Sequence, residues 1–251
     1  MKLAQLNWPD ARDALRHVRV ALLPVGSIEQ HGPHLPLGTD WYIASHIATE
    51  AAETDDRLLL PGIQVGVSEA HGQFWGTLTV SPEALRDQAI ALARSLASHG
   101  LKRIVFVNGH GGNCTPLEEA ARSLREENVF GFVFNWWQSV NSTIAELFPN
   151  PTAHAGSIET SVMLAIHPEL VRRDRFDEAS SVDQWGTYVE GVFIGFDAAD
   201  FTVQGNVGDP RLADEAKGKE VLSAVCESLS RFCGWLEQRT DEDLARRPHV
   251  P

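Results

Sequence analysis

Glu29, His31 and Asp40 stand close together in Leu23-Pro24-Val25-Gly26-Ser27-Ile28-Glu29-Gln30-His31-Gly32-Pro33-His34-Leu35-Pro36-Leu37-Gly38-Thr39-Asp40, a loop punctuated by glycine and proline that follows an apolar run. A second loop, Asn108-Gly109-His110-Gly111-Gly112-Asn113, follows the apolar residues 104–107 and adds a histidine in an equivalent place. Glu29 and His31 are two apart, a spacing that turns both side chains to one side of an extended segment. Gly32, Pro33, Pro36 and Gly38 then turn the chain before Asp40. Imidazole and carboxylate donors together suit borderline divalent ions such as Zn²⁺, Mn²⁺ or Fe²⁺. Glu29, His31, Asp40, His110 and Glu159 are enough for a dinuclear centre with positions left open, and one aspartate has two oxygens with which to bridge two ions. Ions about 3.5–4 Å apart bring the pKa of bound water down toward ~7.

Each donor also has a plainer reading. A histidine or acid in a loop commonly serves as a cap or a turn former. Glu159, in Ser157-Ile158-Glu159-Thr160-Ser161, would favour the helix dipole from the first turn. His154, before Ala155-Gly156, reads equally as a proton donor or acceptor at a substrate atom and as a histidine hydrogen-bonded in a loop. Ser68 and His71, in Ser68-Glu69-Ala70-His71-Gly72, are candidates for the lining of a substrate pocket, whereas His34 reads as structural. Trp41, Trp75, Trp136, Trp137 and Trp185 offer either an aromatic pocket for a flat substrate or ordinary core packing. The glycine loop around His110 has neither the Walker nor the dinucleotide spacing, which favours a ligand histidine over a phosphate cradle.

The elements that must position these residues follow from periodicity and capping. Residues 19–25 read as a buried strand, followed by the acidic loop and a helix from 41 to about 53. Residues 58–60 and 62–67 suggest the next strand and its exit, and 77–80 a short extended piece. Ser81-Pro82-Glu83 starts a helix with a hydroxyl at the N-cap and proline at N1. Leu85, Ala89, Leu92 and Leu96 share one face of it, and Gly100 closes it. A strand is expected at 102–107, with Thr115-Pro116-Leu117-Glu118 as a capping box opening the next helix. Residues 129–134 make a further strand ending at Trp136-Trp137, and 157–167 a helix that stops before Pro168. The stretch 172–210 is expected to hold loops with one or two short strands near 191–196. A final helix at 212–238 buries Leu222, Val225, Leu229, Phe232 and Leu236. Strands alternating with helices imply an α/β fold whose largely parallel sheet is covered on both faces. Such folds place ligands outside the carboxyl ends of the strands.

At 251 residues, 43% hydrophobic and 22% charged, the chain has the composition of a soluble globular protein, and one domain over 1–251 is expected. No apolar run approaches membrane-spanning length, and residues 1–12 lack the core of a secretory signal, which points to the cytoplasm. A formal net charge of -13 argues against a nucleic-acid partner. Cys114, Cys226 and Cys233 are odd in number and form no disulfide framework. Cys226 and Cys233 should face one core, and Cys114 reads as a small filler beside the glycine loop.

The loop from Gly26 to Pro36 with Asp40, the loop 108–113, His154-Ala155-Gly156 and Glu159-Thr160-Ser161 resemble the successive motifs of the creatininase (creatinine amidohydrolase) family. Gly208-Asp209-Pro210 with Ala216-Lys217-Gly218 is similar to its closing motif. The resemblance implies a three-layer αβα sandwich, two divalent metal ions per subunit (Zn, Mn or Fe), hydrolysis of a C–N amide bond and a homohexamer built as a trimer of dimers. By position, Glu29, His31, Asp40 and His110 match metal ligands, with Asp40 as the bridge. His154 matches a histidine at the substrate, and Trp137 a tryptophan that covers the pocket. Glu159 matches an acid of the wider branches, either a ligand of the second metal or an acid/base. Creatininase itself carries a glutamate where this chain has Gly112, so one carboxylate is missing and Glu159 is the candidate to replace it. The expected function is a metal-dependent amidohydrolase, acting on C–N bonds other than peptide bonds, for a cyclic amide, formamide or small peptide-like substrate. Creatinine, a formylated ribosylaminopyrimidine phosphate, a precursor peptide and a lactone are alternative substrates. A metal-bearing small-molecule binding protein is the alternative outside enzymes.

Overall fold

Four parallel strands in the order β2-β1-β3-β4 form the central sheet: β1 (Val20–Val25), β2 (Arg57–Leu59), β3 (Arg103–Asn108) and β4 (Phe130–Asn135). The computed structural model describes residues 1–54, 56–148, 154–179, 182 and 184–247. Every residue of β1 is buried, and alternation sends its side chains to two separate cores. Val20 and Leu22 join Val105 and Val107 of β3 on one face, while Ala21, Leu23 and Val25 join Ile104 and Phe106 on the other.

Helices close both faces. The first core is completed by α2 (Thr39–Ala51), α6 (Ser157–Ile166) and α7 (Glu215–Glu237), through residues such as Ile43, Ile47, Val162, Val221 and Val225. The second is completed by α3 (Pro82–Ala97) and α4 (Cys114–Glu126), through Leu85, Ala89, Leu117 and Leu124. This is the expected αβα sandwich. Burial on both sides is why β1 and β3 are nearly continuous apolar runs rather than alternating ones.

Short elements that the periodicity did not reveal are α1 (Trp8–Leu15), α5 (Asn141–Leu147) and α8 (Asp241–Leu244). The short strands expected near 191–196 form a hairpin of β5 (Thr187–Val189) and β6 (Val192–Ile194). Ser81 caps α3 as expected, its Oγ accepting from the Ala84 N–H at 3.2 Å. The capping box at Thr115 is not formed. A 3-10 turn, Gly111–Asn113, runs directly into α4 at Cys114, which puts Thr115 inside the helix. Asn113, at the cap position, uses its side chain elsewhere: Oδ1 accepts from the Val67 N–H at 3.0 Å, and Nδ2 donates to the Gly26 carbonyl at 3.0 Å. That side chain ties together the segments leaving β1, β2 and β3.

Candidate metal centre

The chain leaves β1 toward β2 on one side and later returns to β3 on the other, so the carboxyl ends of β1 and β3 bound a topological switch point. Glu29 and His31 follow β1, and His110 follows β3. Asp40 stands in the first turn of α2 rather than in the loop, and Glu159 in the first turn of α6. All five expected donors are buried. They converge. Among the described residues, three groups hold donor atoms within 4.8 Å of one another: Glu29, Asp40 and His110; His31, Asp40 and Glu159; Glu29, His31 and His154.

Asp40 joins the first two groups. Its Oδ1 lies 3.1 Å from His31 Nε2, and its Oδ2 lies 3.1 Å from His110 Nδ1 and accepts from Ser27 Oγ at 2.6 Å. The imidazoles are oriented from behind by backbone carbonyls. His31 Nδ1 is 3.1 Å from the Glu29 carbonyl, and His110 Nε2 is 2.8 Å from the Val67 carbonyl. Donation from those nitrogens leaves His31 Nε2 and His110 Nδ1 unprotonated toward Asp40, the usual arrangement of a metal-ligating histidine. His154 follows the same pattern, with Nε2 3.0 Å from the Gln30 carbonyl and Nδ1 3.8 Å from Glu29 Oε1.

Both carboxylate oxygens of Glu29 are buried without a hydrogen bond. His110 Nε2 and His71 Nε2 approach them at 3.2 and 3.4 Å, but without hydrogen-bond alignment, and His110 Nε2 is committed to Val67. A buried, unpaired carboxylate is costly, and cation coordination is one of the few arrangements that satisfies it. The local field agrees. Burial alone would depress the His31 imidazole, yet Asp40, Glu159 and Glu29 push it up to about 10. Burial likewise opposes ionisation of Glu29, but the facing His110 holds it down at about 2. Glu159 is pushed up to about 7 by burial, against the pull of His31. Three carboxylates around one point draw positive charge, and the donor set fits one or more divalent ions.

Gly112 explains where the missing carboxylate went. A Cβ there would lie 2.1 Å from the Val67 carbonyl oxygen and 2.6 Å from His110 Nε2, so the loop has no room for a glutamate. Glu159 brings its carboxylate to the same cluster from α6, with Oε2 at 3.8 Å from His31 Nε2. It also accepts from the Ala155 N–H, so the helix-terminus reading of this residue holds alongside the cluster geometry. Ala155 has a φ of 49°, a left-handed conformation that this bond supports next to His154.

The donors open into a cavity of about 650 Å³ whose lining includes Ser68, His71, His154 and Trp137, together with Trp136 and Trp185. His34 lies apart from this lining, its Nε2 at 2.9 Å from Thr160 Oγ1, as a structural histidine would. Two of the five tryptophans do not fit the aromatic-pocket reading. Trp75 is 99% exposed, and Trp41 packs its ring against Gly62. Periodicity had turned Gln30 away from the site, because it stands between two residues assigned to the same side. The loop folds back on itself instead. The Gln30 amide nitrogen lies 2.6 Å from His71 Nδ1, 2.9 Å from His154 Nε2 and 2.9 Å from the Gly205 carbonyl, and Oε1 accepts from the Gly32 N–H at 3.0 Å. Asn108 was also missed. It bonds the His110 carbonyl and N–H and donates to Asn135 Oδ1, which fixes the turn after β3.

The creatininase family profile, described as creatinine amidohydrolase, matches residues 4–233. The mycofactocin precursor peptide peptidase of Mycobacterium ulcerans is 36% identical over 224 residues, covering 85% of this chain and 84% of that protein. The creatinine amidohydrolase of Pseudomonas putida is 29% identical over 249 residues, covering 91% of this chain and 94% of that one. A solved structure described as creatininase Mn superposes with a TM-score of 0.80 at 25% identity, covering 95% of this chain and 99% of its own.

Proposed function

This chain belongs to the creatininase family, and on that premise we propose that it is a metal-dependent amidohydrolase of small amides. The observation that carries the proposal is the set of buried donor groups sharing Asp40, with both Glu29 oxygens left without hydrogen bonds. Two ions are assigned, one to Glu29, Asp40 and His110 and one to His31, Asp40 and Glu159, with zinc, manganese or iron as candidates. Divalent ions held there supply Lewis-acid polarisation of the carbonyl and a water acidic enough to attack it near neutral pH.

The chain's own residues do the rest. Asp40 holds the two donor groups in register, and Ser27 fixes its rotamer. The carbonyls of Glu29 and Val67 fix the tautomers of His31 and His110. His154 is kept neutral by burial and by the charge of His31, and its place in the cavity lining suits transfer of a proton to the leaving nitrogen. Ser68, His71 and Trp137 would contact the substrate. A cyclic amide, a formamide and a peptide-like amide all remain within the reading.

The same reading makes residues 1–251 one functional unit, assembled as a homohexamer in the cytoplasm. Tyr188, Val189, Val192 and Ile194, exposed on the β5–β6 hairpin, support self-association, and the free state of all three cysteines supports a reducing compartment. No helix among the described residues is long and apolar enough to cross a membrane.

Demetallation tests the central claim. Chelation should abolish hydrolysis of formamides, cyclic ureides or small peptides, and Zn²⁺, Mn²⁺ or Fe²⁺ should restore it. Full activity in metal-free protein would overturn the proposal, and fewer than about one ion per subunit would turn it toward a binding protein.

A further inference from the structure

The donor cluster takes up only part of the cavity, and the rest of its lining is apolar. Trp136, Trp137 and Trp185 stand with Ile144 and Ile158 around a volume of about 650 Å³, in the range that encloses ligands much larger than the reacting amide group. No lining residue among those described is Lys or Arg. The residues outside the description, 55, 149–153, 180, 181, 183 and 248–251, contain neither type, so wherever they lie they bring no ammonium or guanidinium to the cavity. Lys217, which lies against the Phe148 ring just beyond α5, is engaged by the Leu147 carbonyl at 2.9 Å.

Phosphate recognition depends on arginine forks, lysines or open helix N-termini. The termini near this site are not open. The Ala155 N–H before α6 is taken by Glu159, and the turn into α4 is crowded by the Val67 carbonyl at Gly112. A phosphoryl group would instead meet a cavity whose charged lining residues are Asp40 and Glu159. The tryptophans offer faces for stacking. Trp136 is 2% exposed, and its indole Nε1 has no hydrogen-bond partner; Ser68 Oγ, 1% exposed, has none either. Both suit a neutral acceptor on a ligand.

We infer that this cavity selects an uncharged amide bearing a flat aromatic or branched apolar group, and discriminates against amides that carry a phosphate or nothing larger than methyl. The reacting bond rests on the amidohydrolase reading, while the selection is a property of the surrounding walls.

Calorimetry on the zinc-loaded protein tests the selection without turnover, using hydroxamates that share one metal-binding head. The probes are acetohydroxamate, benzohydroxamate, 2-naphthohydroxamate and 4-(phosphonooxy)benzohydroxamate. The naphthyl compound should bind at least about tenfold more tightly than acetohydroxamate, and the phosphate should weaken benzohydroxamate by at least about tenfold. Trp137→Ala, with its fold checked by circular dichroism, should reduce the naphthyl advantage by about threefold or more. Equal affinities, tighter binding of the phosphate ester, or no binding of any probe would overturn the inference. Amide hydrolysis is scored separately: the predicted order of hydroxamates in a protein that cleaves no amide would sink the hydrolase reading and leave the selection standing.

Discussion

Asp40 presents one carboxylate oxygen to His31 and the other to His110, so a single truncation disturbs both donor groups. Asp40→Ala should lower activity by more than the 10–100-fold typical of losing an outer partner of a metal ligand, and bound metal should fall toward zero by elemental analysis. A variant that kept its full metal content would contradict the bridging role. Gln30 acts one layer out. Its amide touches His71, His154 and the Gly205 carbonyl, and Leu at this position removes all three polar contacts at similar volume. Gln30→Leu should weaken metal affinity or activity by about 10–100-fold, and titration of the apoprotein with Zn²⁺ separates the two effects. Unchanged affinity with unchanged rates would mean that the carbonyls behind the imidazoles orient them without help.

At the scale of elements, α6 and α7 approach so closely at Gly218 that a Cβ there would lie 1.9 Å from the Ser161 carbonyl oxygen. Because α6 carries Glu159, the packing of these helices and the position of a donor are one problem. Gly218→Ala should destabilise the fold by about 1–3 kcal/mol through overpacking and should also reduce metal binding. Ser81→Ala on α3 is the contrasting case. It removes a cap on a helix that carries none of the donors, so a loss of about 1 kcal/mol in chemical denaturation should leave kcat/KM unchanged. If both variants changed only stability, the coupling of α6 position to the site would be wrong.

For the molecule as a whole, a buried cluster of carboxylates links folding to the cation it collects. Ions that bind the native state at a hundredfold above their Kd stabilise it by about 2.7 kcal/mol, so chelation should lower the melting temperature as well as the activity. A melting curve indifferent to chelator would argue that the site is preformed without ions. The thiols of the α7 core behave independently of this. Burial pushes Cys226 and Cys233 up to about 11, so at pH 8, well below that value, both stay protonated. Alkylation by iodoacetamide at pH 8 should therefore be far slower at these cysteines in the folded protein than after denaturation, and should accelerate as pH rises toward 11. Equal labelling rates in folded and unfolded protein would show that the α7 face is open.

Sequence alone determined the sheet strands, because residues buried on both faces must be apolar almost without interruption, and it determined the donors after β1 and β3, because histidine and carboxylate among glycines have few other uses. It also settled where α3 starts, since Ser81 and Pro82 act through local backbone chemistry. Tertiary structure decided what depends on contacts between distant segments. Asn113 gave up its local cap to join three loops, Gln30 turned inward against the two-residue alternation, and Gly112 lost its side-chain space to Val67 while Glu159 arrived from another helix. Local propensity reads neighbours along the chain, whereas these outcomes depend on which polar atom in a folded interior is left needing a partner.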